Sequence, residues 1–244
     1  MASTTKHPTD PYLVTLTNPS SFAAEQYQGL RMTVEQLKQL RDVRLIAVTS
    51  PTAGDGKTVT AINLAGVLAH GNEARVLLID ADLRRPAIAT RLALGESESR
   101  GLVDAVSDES LRVDQLTTKI NGFDLSVMPA GVTRVPIHEI LRSPRLERIL
   151  KEAREQYDYV VLDTPPLLPV FDAAAVARFV DGILLVVAAN HTPRKLLGEA
   201  LTLLDPSKLL GIVYNGDRRP LFGYYDSSYG GYFRESSTAA PSTD

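Results

Sequence analysis

The chain has no cysteine, which excludes disulfides and cysteine-based zinc sites and fits a reducing compartment. Positive charge is not in excess either. The formal net charge is −3, whereas a general nucleic-acid binder would be basic. The histidines, His7, His70, His138 and His191, are scattered without metal-ligand spacing. No apolar run approaches the roughly 18–20 residues of a membrane-spanning helix. The opening MASTTKHPTD also lacks the apolar stretch of a secretory signal. These absences predict a soluble, cytoplasmic protein with no nucleic acid bound and no direct membrane insertion. Any membrane role is expected to come through a partner.

What is present suits one α/β domain. A chain of 244 residues, 44% of them hydrophobic, can bury a single substantial core. Residues 1–19 are polar and proline-punctuated and read as a flexible N-terminal arm. Residues 20–215 read as the folded domain, and 216–244, rich in Gly, Ser and Tyr, as a flexible tail. Within the domain, a helix is expected from Ser20 or Ser21, with Leu30, Val34, Leu37 and Leu40 at helical spacing. Short apolar runs at 44–50, 75–80, 123–128, 159–163, 182–188 and 209–215 read as strands. Helices are expected between most of them, at about 57–69, 144–156, 172–179 and 193–204. The strands are continuously apolar rather than alternating, as in a parallel sheet covered on both faces. The fold class is a doubly wound, mostly parallel α/β sheet of the P-loop NTPase type, with ligands at the carboxyl ends of the strands.

Three segments at that edge carry chemistry. The first, SPTAGDGKT (Ser50–Thr58), is a phosphate-binding loop between a strand and a helix. Glycines let backbone N–H groups turn towards phosphate oxygens, lysine supplies charge, and the threonine hydroxyl ligates Mg²⁺. The expected nucleotide contacts are Ala53, Gly54, Asp55, Gly56, Lys57, Thr58 and Val59. In the strict pattern the first glycine would stand at Pro51, so the match is relaxed. The second segment is LLIDADLRRP (Leu77–Pro86), where Asp80 and Asp82 follow a strand as a carboxylate pair that a divalent cation would neutralise. The third is YVVLDTPP, where Asp163 ends a buried strand in a position that commonly holds Mg²⁺, often through water. The metal set is thus Thr58, Asp82 and Asp163, and the cofactors are ATP and Mg²⁺. Asn215 is read two ways, as an adenine contact or as a turn former before Gly216.

Taken together, SPTAGDGKT, IDADLRRP, the strand ending D-T-P-P, HEILRSPRL and TPRKLL…LLGIVYNG resemble the bacterial protein-tyrosine kinases of capsule and exopolysaccharide synthesis, the BY-kinases. The likeness runs across roughly Ser20–Asn215. Related partitioning and cell-division-site ATPases usually carry an extra lysine early in the loop, where this chain has Thr52. The resemblance implies an ATP- and Mg²⁺-dependent protein-tyrosine kinase with Lys57, Asp80 and Asp82 as catalytic residues. In that family the aspartates of the second motif handle Mg²⁺ and activate the tyrosine hydroxyl. The resemblance also makes Arg84 and Arg85 phosphate or subunit contacts, the alternative being a pair of solvated arginines. Tyr224, Tyr225, Tyr229 and Tyr232, four of nine tyrosines, crowd one Gly/Ser-rich segment, and the resemblance makes them phosphoacceptors modified in trans. It also implies a separate membrane polysaccharide co-polymerase as adaptor, recruiting the kinase to the inner face of the membrane, and a homo-oligomeric ring. For the ring there is a departure: the family's E-x-x-R-x-x-R has Gln28 in place of its first arginine, and glutamine cannot make the bidentate charged pair. The alternative to a kinase is a partitioning-type ATPase switch.

Overall fold

Runs of Val, Leu and Ile with no polar face must be covered on both sides, and the chain supplies helices for each. The computed structural model describes residues 10–72, 74–94, 100–168 and 172–217. Strands β1 (Leu45–Thr49), β2 (Val76–Asp80), β3 (Thr118–Lys119), β4 (Leu125–Met128), β5 (Tyr159–Asp163), β6 (Gly182–Ala188) and β7 (Leu209–Asn215) form one sheet in the order β3-β4-β2-β5-β1-β6-β7. All neighbours are parallel except the short edge strand β3, which runs antiparallel to β4.

The period-2 geometry of the central strands explains their unbroken apolarity. Leu45 and Ala47, Leu77 and Ile79, and Val160 and Leu162 enter one core. Ile46 and Val48, Val76 and Leu78, and Tyr159 and Val161 enter the other. The first core is closed by helices α5 (Leu102–Ser107), α6 (Ile137–Arg142), α7 (Pro144–Gln156), α8 (Asp172–Ala177) and α9 (Arg194–Thr202). The second is closed by α1 (Val14–Thr17), α2 (Phe22–Arg41), α3 (Lys57–Leu68) and the single turn α4 (Ile88–Arg91). This is the doubly wound sheet expected from the pattern of apolar runs.

Two expectations fail at the ends of the fold. The segment read as a free arm is packed from residue 10 onwards. Leu13 is fully buried, and Thr15 donates its backbone N–H (3.0 Å) and hydroxyl (3.1 Å) to the Asn63 side-chain oxygen. Polar composition concealed this, because one leucine and one threonine anchor the segment. Residues 1–9 lie outside the described residues, as do 218–244, including all four tail tyrosines. Strand β7 is the second exception: it is not buried on both faces. Among the described residues it is an edge strand beside β6, and Ile212 and Tyr214 are about half exposed.

The long helix begins as expected. The Ser21 hydroxyl accepts the Ala24 N–H at 3.2 Å as N-cap of α2. Val34 is buried on it, whereas Leu40 is exposed and makes no part of the apolar face. The segment HEILRSPRL also has a structural account. Ser143 caps α7, Pro144 takes its first turn, and the Arg145 guanidinium donates to the carbonyls of Ala105 (3.3 Å), Glu109 (3.3 Å) and Leu111 (2.8 Å). That fork ties α7 to the end of α5 and the loop after it.

Asn63, fully buried on α3, is the polar rivet between the N-terminal segment and the domain. Besides accepting from Thr15, its amide nitrogen donates to the carbonyls of Tyr12 (2.8 Å) and Val59 (2.9 Å). Removing it strands a buried N–H and a carbonyl. Asn63→Ala is therefore expected to destabilise the fold by about 2–4 kcal/mol and to speed hydrogen exchange of the Thr15 amide. Unchanged denaturant stability and exchange would show that the segment is held by apolar contact alone.

Candidate active site

The phosphate loop leaves β1 at Ser50 and returns as α3 at Lys57. Gly54 and Gly56 sit in the left-handed region, at φ +92° and +95°. A side chain at Gly56 would also collide with the Asn215 amide, which an added Cβ would meet at 2.0 Å. Within the loop, Asp55 is fully buried and points away from the open side. Its Oδ2 accepts the Thr52 N–H (2.9 Å) and hydroxyl (3.0 Å), and its Oδ1 accepts the Thr192 hydroxyl (2.7 Å). Thr52, which stands where the partitioning ATPases carry lysine, thus spends its side chain inside its own loop. Asp55 offers a ligand only its backbone.

Asn215, at the end of β7, donates its amide nitrogen to the Asp55 carbonyl at 3.0 Å. Its side chain thus holds the phosphate loop from the β7 side, a contact that neither sequence reading names. Thr192 was missed by sequence reasoning as a site residue, although it opens the TPRKLL block. Its hydroxyl accepts the Ala188 N–H (3.0 Å) while donating to Asp55. His191 stands beside it, with Nδ1 3.6 Å from Asp55. No local signal could mark these residues, because their partner is more than a hundred positions away.

The chemistry gathers at Lys57. Its ammonium donates to Asp82 Oδ2 at 2.8 Å and reaches Asp163 Oδ1 at 3.4 Å. The Thr58 hydroxyl donates to Asp163 Oδ2 at 2.6 Å. Residues from the phosphate loop, from the loop after β2 and from the end of β5 therefore meet in one place, as the three motifs predict. Burial lowers the affinity of Lys57 for its proton, but the charges of Asp163 and Asp82 outweigh this and hold its pKa above the ordinary value. Asp163 is fully buried. Burial pushes its pKa up to about 6, against the opposing pull of Lys57 and of the Thr58 hydrogen bond.

The two aspartates of IDADLRRP do not share a task. Asp82 borders a cavity of about 580 Å³, together with Ala53, Gly54, Lys57, Thr58 and Val59. Asp80 is sealed beneath it. Its Oδ2 accepts the N–H groups of Ala87 and Ile88, both at 3.0 Å, and so closes the start of α4. The expectation that both carboxylates project into one ligand site is corrected here: a carboxylate that ends β2 within the sheet edge is taken up by the next turn of chain. Burial, and then the charge of Asp163, raises the Asp80 pKa to about 7 despite those two amides.

Among the described residues no three His, Cys, Asp or Glu side chains cluster as a closed metal cage. The donor set nevertheless fits Mg²⁺. Thr58, Asp82 and Asp163 offer hard oxygen ligands on one side only, and Mg²⁺ in phosphate sites typically takes one or two carboxylates, water and substrate oxygens. Lys57 occupies the same carboxylates, which shows that a cation is favoured there.

Both raised carboxylate pKa values make the same stability statement. A carboxyl whose pKa is raised on folding contributes most below its unfolded value near 4, and that contribution is lost as pH rises through the folded value. For Asp80 the window runs from about 4 to about 7. Asp80→Asn removes that loss, on the order of a few kcal/mol. Its melting temperature relative to wild type is expected to rise between pH 5 and pH 8. The same offset at both pH values would show that Asp80 carries no such penalty.

The chain matches the AAA domain family over residues 43–200. It is 34% identical over 218 residues to the tyrosine-protein kinase YwqD of Bacillus subtilis, covering 87% of this chain and 90% of that protein. The succinoglycan biosynthesis transport protein ExoP of Rhizobium meliloti is 34% identical over 238 residues, 90% of this chain, but the chain spans only 29% of its length. Among solved structures, the kinase domain of the Escherichia coli tyrosine kinase ETK superposes with a TM-score of 0.77 at 28% identity, over 90% of this chain and 86% of that one. A ParA family ATPase from Chlorobium tepidum reaches 0.55 at 21% identity, over 70% of this chain and 73% of that one, which is a likeness of fold alone. With its AAA domain, its relaxed phosphate loop and the Lys57–Asp82–Asp163 cluster, the chain belongs to the bacterial protein-tyrosine kinases of capsule and exopolysaccharide synthesis.

Proposed function

We propose that this chain is an ATP- and Mg²⁺-dependent protein-tyrosine kinase that modifies its own C-terminal tyrosines, Tyr224, Tyr225, Tyr229 and Tyr232, in trans between copies. The observation that carries the reading is Lys57 bound between Asp82 and Asp163 at the base of an open cavity. It is supported by the kinase relatives that match nearly the whole chain.

The residues divide the work as follows. Backbone N–H groups from Ala53 to Thr58 cradle the phosphates, and Lys57 neutralises their charge. Thr58, Asp163 and Asp82 are the residues to hold Mg²⁺, which when bound supplies the positive charge that phosphoryl transfer needs. Asp82, at the cavity wall, orients the tyrosine hydroxyl and takes its proton late, since a loose transition state needs little from a base. ADP leaves as the phosphate oxygen bond to tyrosine forms. Asp80 has its oxygens committed to Asp82, Ala87 and Ile88. It acts as a positioning residue that fixes the loop carrying Asp82.

None of the described helices is long and apolar enough to cross a membrane. From the chain's likeness to the succinoglycan biosynthesis transport protein, the reading includes a membrane co-polymerase adaptor that brings the kinase to the cytoplasmic face of the membrane and regulates polysaccharide synthesis or export. It also includes assembly of several copies, since a tail acceptor in trans needs a neighbour. The ATPase-switch alternative loses ground to Thr52, whose side chain is used within its own loop.

Incubation with MgATP followed by mass spectrometry tests this directly. Phosphate is expected on the tail tyrosines of the wild type and should drop on the order of 100-fold or more in Lys57→Met. It should vanish when the four tyrosines become phenylalanine. ATP turnover without phosphotyrosine, with an adaptor tail present, would establish the switch instead.

A further inference from the structure

The cavity above Lys57 has a second wall that phosphate-loop chemistry does not use. Arg84 and Arg85, in the loop after β2, and Arg91, on α4, line it together with Asp82, Pro165 and Pro166. Two of these arginines are held by ion pairs that set their position. Arg84 Nε lies 2.5 Å from Asp172 Oδ2, and Arg91 Nη1 lies 2.5 Å from Asp10 Oδ2. Both remain substantially exposed, at 47% and 36% of the side chain. Arg85 is exposed too. Its backbone N–H is fixed by Asp82 Oδ1 at 3.1 Å, and its guanidinium makes no hydrogen bond or ion pair among the described residues.

Asp82 is the divide between the two walls. Its Oδ2 faces Lys57 and its Oδ1 holds the Arg85 amide. On the Lys57 side, a cation, backbone amides and a helix start already serve the nucleotide phosphates. The contacts that brace that loop come from β6 and β7, through Thr192 and Asn215. The arginines follow β2, which lies across β5 from β1 and on the opposite flank from β6 and β7. Past the carboxylate the rim therefore carries three exposed guanidinium groups, two sharing a carboxylate and that of Arg85 unpaired among the described residues, where an acceptor peptide, and not the nucleotide, would enter.

Guanidinium is the group that recognises a phosphomonoester, through paired N–H donors. A phosphotyrosine carries about −1.5 to −2 charges. The tail offers such groups close together, at Tyr224, Tyr225, Tyr229 and Tyr232. A 580 Å³ cavity, taken as a sphere, is about 10 Å across, roughly the reach of three extended residues at ~3.3 Å each. Tyr229 and Tyr232 stand three residues apart.

We propose that Arg84, Arg85 and Arg91 form a phosphotyrosine subsite, which holds a tail already modified at one tyrosine while a neighbouring tyrosine is presented at Asp82. The proposal rests on the kinase reading. It adds that tail modification is ordered, with the first phosphate favouring the next.

Arg85 is the residue to test, because it is exposed and its replacement leaves no buried partner. Binding of the peptide GYYDSSYGGYFRE, unmodified or phosphorylated at Tyr232, is measured by fluorescence anisotropy, alongside binding of a fluorescent ADP. The phosphorylated peptide is expected to bind about 10-fold more tightly. Arg85→Ala should remove that preference while ADP affinity stays within about twofold, and Arg85→Lys should restore part of it. Equal affinity for the two peptides would overturn the proposal. So would a loss of ADP affinity in Arg85→Ala matching the loss for phosphopeptide, since the arginine would then serve the nucleotide. The binding arm needs no catalysis. A chain that transfers no phosphate to tyrosine would therefore refute the kinase reading by mass spectrometry, while anisotropy still decides the subsite.

Discussion

The site depends on one largely buried ammonium. Lys57 is the cation in contact with Asp82 and Asp163, and both carboxylates are almost fully withdrawn from water. Such a cluster is tolerable only when every charge has a partner, and removing one member leaves an uncompensated buried charge. That constraint orders the surroundings. Thr58 must donate to Asp163, and the backbone of Arg85 must serve the second oxygen of Asp82. Asp80, close by and without a cation of its own, is held by the amides of α4 and drifts towards the neutral form.

The cluster exists because three strands that are far apart in sequence end side by side. β2, β5 and β1 are consecutive in the sheet, and Asp80 is in register with Asp163. Burial on both faces fixes that register, since a slip by one residue would turn each apolar side chain towards the wrong core. The rigidity of the site is thus inherited from two apolar cores that contain none of its chemistry. The same logic explains the brace on the phosphate loop. Asp55 is gripped by Thr192 from beyond β6, and its carbonyl by Asn215 from the end of β7. The loop's shape is set before any phosphate arrives, and preorganised donors are what phosphoryl transfer requires of a protein.

Seen from the cavity, the carboxylate Asp82 separates two kinds of positive charge. On one side is a single, largely buried lysine with backbone amides, and on the other a rim of exposed guanidinium groups. A kinase must hold a donor phosphate and admit an acceptor without confusing them. In the proposed kinase reading the two stand on opposite sides of Asp82.

Much of the architecture was legible in sequence, because it depends on local chemistry. The runs 159–163, 182–188 and 209–215 fall on β5, β6 and β7, and helix α7 spans 144–156 as its periodicity indicates. The meeting of Lys57, Thr58, Asp82 and Asp163 was also legible, since a phosphate loop and aspartates at strand ends are marked by residue type and spacing. The short turns α4, α5 and α6 were not, being at most six residues and too brief for a period to show. Other features were decided only in three dimensions. Asp80 turned inward because the following turn needed its oxygens. Asn215 and Thr192 reached the phosphate loop because β6 and β7 lie beside β1 in the sheet. The N-terminal segment docked because one buried asparagine satisfies its backbone. Sequence determined which groups could do the chemistry. Tertiary structure decided which of them border the cavity, because Asp80 is taken up by the next turn of chain while Asp82 stays at the cavity wall.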